Sequence, residues 1–242
     1  MSPVCRLTVT LCACLFMFTE IQANEHLLKH ALFTSQAMSA LYMHGLSQGN
    51  EKYSKEFEQY KKQSWTALKQ YSHTGKHHDF MGQWQNVIND LKFHYDKNNG
   101  WIIDLGTRLK FRSYLSDVYQ EIAQNTPYYT SSRLQKMLAL VQLEAISARF
   151  FDISSTFSGT YSLALDDINK LNPSLINMKF KNNLNEQINT SEDKALQKKL
   201  KRALSKWQFI ESGVINYDNM SANFLVYATK NSISKTLSTS LY

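Results

Sequence analysis

The segment from Ser132 to Phe151, SRLQKMLALVQLEAISARFF, contains no Gly or Pro. Leu134, Met137, Leu138, Val141, Ala145 and Ala148 recur at helical steps, which predicts one continuous helix. Leu140, Leu143, Ile146 and Phe150 widen that stripe until most of the circumference is apolar. A helix of this kind is stable only when other elements cover it on several sides. Arg133, Lys136 and Arg149 are the cations left on it. The rest of the chain reads as helices laid around this one and around an earlier, weaker copy of it.

Seven further helices are predicted, and no segment alternates with the period of a strand. They cover roughly 25–47, 51–71, 80–97, 101–124, 156–171, 191–214 and 218–242. Gly45 and Gly49 end the first, and Asn98-Asn99-Gly100 stops the third. Asn172-Pro173 stops the sixth helix in chain order. Ser191-Glu192-Asp193 opens the seventh with acidic residues in its first turn. That helix carries Leu196, Leu200, Ala203, Trp207, Ile210 and Val214 at alternating steps of four and three, the seam of a bundle. Leu175 to Thr190 is rich in Asn and reads as a long connection with a single helical turn.

The first 23 residues read as a secretory signal. Arg6 precedes an apolar run from Leu7 to Phe18, and Ile21-Gln22-Ala23 is a small-residue cleavage site before polar Asn24-Glu25-His26. The run is too short for a bilayer, which takes about 20 apolar residues. Leu11-Cys12-Ala13-Cys14 is the competing, lipoprotein-type reading. Cys5, Cys12 and Cys14 all fall inside this segment, so a mature chain would hold no disulfide and no thiolate site. The product is expected in the periplasm or outside the cell.

The signal removes one cation, Arg6, and one anion, Glu20, so the net charge of +7 is kept. In an exported chain that excess points to small anions, anionic envelope polymers or solubility, and not to nucleic acid. There is no nucleophile elbow, phosphate loop, His-Glu-x-x-His or paired carboxylate in an apolar setting, so no enzyme is expected.

The eight helices fall into two sets of four. Gln36-Ala37-Met38 resembles Gln135-Lys136-Met137, and Phe57, Trp65 and Leu68 match Phe157, Leu165 and Ile168. Phe80, Trp84, Val87 and Leu91 match Ala203, Trp207, Ile210 and Val214, and Val118-Tyr119 matches Leu241-Tyr242. The predicted fold is all-α: two tandem four-helix up-down modules, 24–125 and 128–242, after a signal at 1–23. Each repeat resembles the sensor module of type IV pilus chemotaxis transducers and of nitrate/nitrite sensor kinases, the PilJ-type or NarX-like domain. Leu134-Gln135-Lys136-Met137-Leu138-Ala139 carries that resemblance best, with Gln36-Ala37-Met38-Ser39 as the degraded copy. The central Trp of one helix and the closing Leu-Tyr add to it.

The resemblance implies an extracytoplasmic four-helix sensor module that feeds a membrane sensor or chemoreceptor and pairs as a homodimer through its first helix. Some members hold nitrate or nitrite near the first-helix motif, using a Gly turn and an Arg. Arg133 stands here at the Gly position and Lys136 at that of the Arg. Arg133, Lys136 and Arg149 are therefore the candidate residues for a small anionic ligand, because the first two share a face at a helix N-terminus. The alternative is ordinary surface cations on a helical scaffold without a small ligand.

Histidine offers a second chemistry. Cleavage after Ala23 would leave Asn24, Glu25 and His26 as a terminal amine, two amides and an imidazole, a square-planar donor set for Cu or Ni. His73, His77, His78 and Asp79 form a loop cluster without a convincing fourth zinc ligand.

Overall fold

The computed structural model describes residues 3–72, 79–91, 94–97, 100–155, 172–216 and 222–241. Eight α-helices lie among them: α1 (Pro3–Leu46), α2 (Glu51–Ser72), α3 (Phe80–Asp90), α4 (Leu105–Asn125), α5 (Ser132–Ser154), α6 (Pro173–Thr190), α7 (Lys194–Asn216) and α8 (Asn223–Ser238). A 3-10 turn, Thr126–Tyr128, leads into α5. The all-α prediction holds. Among the described residues no helix is long and apolar enough to cross a membrane.

Helix α5 is the axis of the molecule. Every residue from Met137 to Asp152 is buried, as its apolar circumference requires. Ser131 caps its start by accepting the Leu134 N–H at 3.2 Å. Helices α1, α6, α7 and α8 pack against α5, and α1 in turn holds α2 and α4. Thus α1 and α5, the first helices of the two expected modules, lie against each other, and a single apolar core runs through both halves. The pairs α3–α4 and α7–α8 also pack, with Trp84 on α3 and Trp207 on α7 fully buried. Phe157, Leu165 and Ile168, and with them the predicted helix at 156–171, lie outside the described residues.

Helix α1 is continuous across the expected cleavage point, where Ala23 and Asn24 are buried. Leu27, Leu28, Ala31, Ala37 and Leu41 extend its buried face.

Two elements differ from the prediction. The expected connection at 175–190 is the helix α6. Its five asparagines (177, 182, 183, 185 and 189) are poor helix formers in isolation, because their amides compete for the backbone. Here packing overrides that. Asn172 caps the helix at the Leu175 N–H, Pro173 fits the first turn, and Phe180, Leu184 and Ile188 are buried at steps of four. Asn177 accepts the Trp207 indole N–H at 2.8 Å and donates to Glu211 at 2.7 Å.

The second difference is a hairpin where helix was expected. The third helix stops at Asp90, and His94–Asp96 pairs antiparallel with Gly100–Ile102, with Tyr95 opposite Trp101. The hairpin docks on the α1–α2 turn. Gly49 has φ +86°, and the Trp101 indole occupies the space a Cβ would need there. Trp101 also meets His44 edge-on at 4.9 Å.

Candidate anion site

Helix α4 buries two arginines in its apolar stripe. Arg108 and Arg112 are four residues apart and share a face with Phe111, Leu115 and Val118. That face meets the last turn of α5, where Arg149 and Asp152 are three residues apart and both buried. The Asp152 carboxylate is the point of convergence. Its Oδ2 accepts from Arg112 Nη2 at 2.7 Å, Arg112 Nε at 3.1 Å and Arg149 Nη1 at 2.8 Å. Its Oδ1 accepts from Arg108 Nη1 at 3.4 Å.

Arg108 does a second job. It donates to the carbonyls of Asp152 and Ser155, each at 3.0 Å, and to the Ser155 hydroxyl at 2.8 Å. These carbonyls belong to the C-terminal turn of α5, where the helix dipole favours a cation. Its Nε donates to the Ile103 carbonyl at 3.1 Å, which ties the end of the hairpin to the cluster.

Charge does not balance here. Among the described residues three guanidinium groups face one carboxylate, an excess of two positive charges. The α5 terminus offsets only about half a charge. Guanidinium remains protonated at any ordinary pH, so the excess cannot be shed. Among the described residues, Arg112 Nη1 and Arg149 Nε and Nη2 have no protein acceptor, and the two side chains keep 9% and 7% exposure.

Tyr42 of α1 completes the cluster. Its ring lies 4.8 Å under the Arg108 guanidinium. Its hydroxyl is sealed from solvent, close enough to Asp152 to feel the charge but outside hydrogen-bonding geometry. Burial first, and the Asp152 charge after it, push this phenol well above its ordinary pKa, so it stays a donor.

Of the three cations predicted from sequence, only Arg149 belongs to this site. Arg133 reaches Glu25 of α1 at 3.0 Å. Lys136 donates to the Ser240 carbonyl at 2.8 Å and borders a separate cleft of about 510 Å³ with Ser132, Gln135, Asn183 and Gln187. Thirteen residues of helix, about 20 Å, separate Lys136 from Arg149.

Asn24, Glu25 and His26 lie within α1. Glu25 bonds Lys29 at 2.7 Å as well as Arg133. Burial raises the Glu25 pKa, but these two hydrogen bonds outweigh it and leave it below the usual value. Burial, followed by the Lys29 charge, lowers the pKa of His26. Asp79 caps α3, whereas His73, His77 and His78 lie outside the described residues. Among the described residues no group of three or more His, Cys, Asp or Glu side chains is placed to hold a metal ion.

Comparison of the chain with protein-family models, with curated proteins and with solved structures finds no match. The reading of the site therefore rests on its own geometry.

Two other buried polar clusters stand apart from it. Glu144 in mid-α5 meets Lys230 of α8 at 2.6 Å, the Ser234 hydroxyl at 2.6 Å and Gln36 of α1 at 3.2 Å. His30 meets the Ser64 hydroxyl at 2.8 Å and the Tyr114 hydroxyl at 2.5 Å. Ser64 is fully buried, so that Ser–His pair faces no cleft.

Sequence reasoning missed Arg108 and Arg112. A signal was present, since both occupy stripe positions that an amphipathic helix normally fills with apolar residues.

Proposed function

We propose that this chain is an exported, helical binding module of sensor type that holds a small anion between α4 and α5. The observation that carries the reading is the buried positive excess at Arg108, Arg112 and Arg149, which among the described residues share the single carboxylate of Asp152. Unbalanced charge is costly to bury, and a bound anion removes that cost. Planar guanidinium groups with free N–H edges suit an oxyanion. The signal-like first residues support the periplasm or the cell exterior as its place, and the likeness to PilJ-type modules supports delivery of the signal to a membrane receptor. The pairing of first helices that this likeness puts between two chains has an internal counterpart in α1 and α5.

A thermal-shift screen of the protein against small anions tests this, with Arg112→Gln and Lys136→Ala run in parallel. An anion at about 100 times its Kd adds about 2.7 kcal/mol. The shift is expected to survive Lys136→Ala and to vanish in Arg112→Gln. The opposite pattern moves the site to the Lys136 cleft, and no shift with any anion refutes the reading.

The exposed apolar side chains of α7 and α8 favour a second reading, a helical protein-interaction module. Phe209 is 71% and Phe224 56% exposed.

A further inference from the structure

We propose that the arginine cluster takes a doubly charged oxyanion, of the class of sulfate, phosphate or a short dicarboxylate. This deepens the anion reading above and rests on it. The charge count decides the class. Among the described residues Asp152 neutralises one of three guanidinium groups and the α5 terminus offsets about half a charge more, so a monoanion such as nitrate or acetate leaves part of the positive excess uncovered, while a dianion covers all of it.

The geometry agrees. Asp152 already shows how an oxyanion is received, since Arg112 grips one of its oxygens through both Nε and Nη2, and Arg149 adds a third bond to that oxygen. What remains is Arg112 Nη1 on one helix and Arg149 Nε and Nη2 on the other. These donors stand on two different side chains that still reach solvent. An anion with two charged oxygens, or two carboxylates, satisfies both at once, each through charge-assisted hydrogen bonds.

The site also differs from the one implied by the resemblance. Its cations come from the stripe of α4 and the end of α5, not from the first-helix motif at Arg133 and Lys136. Its charge calls for a dianion where that motif serves a monoanion.

Isothermal titration of the full chain tests the class, using sulfate, inorganic phosphate and succinate against nitrate and acetate at matched ionic strength. The dianions are expected to bind at least about tenfold more tightly than the monoanions. Phosphate and sulfate ahead of succinate would mark a tetrahedral ligand, and the reverse a dicarboxylate. Arg149→Gln lowers the excess to one charge and is expected to erase the dianion preference. Asp152→Asn raises the excess to three and is expected to strengthen sulfate binding. Arg149→Gln leaves Asp152 held by Arg108 and Arg112, so it serves where Asp152→Asn fails to fold. Equal binding of nitrate and sulfate, or a preference that persists in Arg149→Gln, overturns the class while the anion reading stands. No binding by any of the five anions overturns both.

Discussion

Removing Lys230 while keeping Glu144 is expected to be among the most damaging single changes available to this fold. The two side chains are 1% and 0% exposed and 2.6 Å apart, and they join α8 to the centre of α5. In Lys230→Met the Glu144 carboxylate keeps, among the described residues, two neutral donors, the Ser234 hydroxyl and the Gln36 amide. Breaking a buried ion pair from one side costs about 3–5 kcal/mol, because a charge is left without compensation. At about 2–4 °C per kcal/mol for a chain of this size, the midpoint falls by about 6–20 °C. The double variant Glu144→Leu with Lys230→Met removes both charges at similar volume. It is expected to lie within about 1–2 kcal/mol of the wild type, or above it, since a well-packed apolar pair often matches a buried salt bridge. Urea unfolding of the wild type, the two single variants and the double variant closes a cycle. The coupling energy should exceed about 2 kcal/mol. A cost below about 1 kcal/mol for Lys230→Met would refute the reasoning, because it would mean that Glu144 is solvated.

Two further outcomes follow from the first half of the chain. Burial, opposed by the hydrogen bond to Ser64, brings the His30 pKa down from 6.5 to about 4. The unfolded chain therefore binds more protons between those values, and stability is complete above about pH 6.5 and falls by about 3 kcal/mol as pH drops towards 4; urea midpoints across that range measure it, and His30→Gln should flatten the slope. Gly49→Ala places a Cβ in the Trp101 indole at φ +86° and should cost more than about 1 kcal/mol, with a change in tryptophan fluorescence as the hairpin shifts.

Much of the architecture is legible in residue spacing. The apolar circumference of 132–151 requires a central helix, and α5 is buried along nearly its whole length. The seam from Leu200 to Val214 is buried on α7 as its spacing demands. Helix α6 is hidden because its asparagines act through partners distant in sequence, Trp207 and Glu211 for Asn177 and the Gln135 carbonyl for Asn183. The hairpin is hidden because its strands have only three residues each, and Gly49 and Trp101 meet only in three dimensions. The arginine cluster is half legible. Arg149 stands out on an apolar helix, but its neighbours Arg108 and Arg112 come from another element, and no local pattern brings them to Asp152.

The contact between α1 and α5 has a consequence for how the protein behaves on dilution. Two helices in separate chains part when the chains are diluted. Here α2 to α4 form a covalent tether between them, which holds α5 near α1 at an effective concentration on the order of millimolar. The α1–α5 interface therefore persists in nanomolar solution.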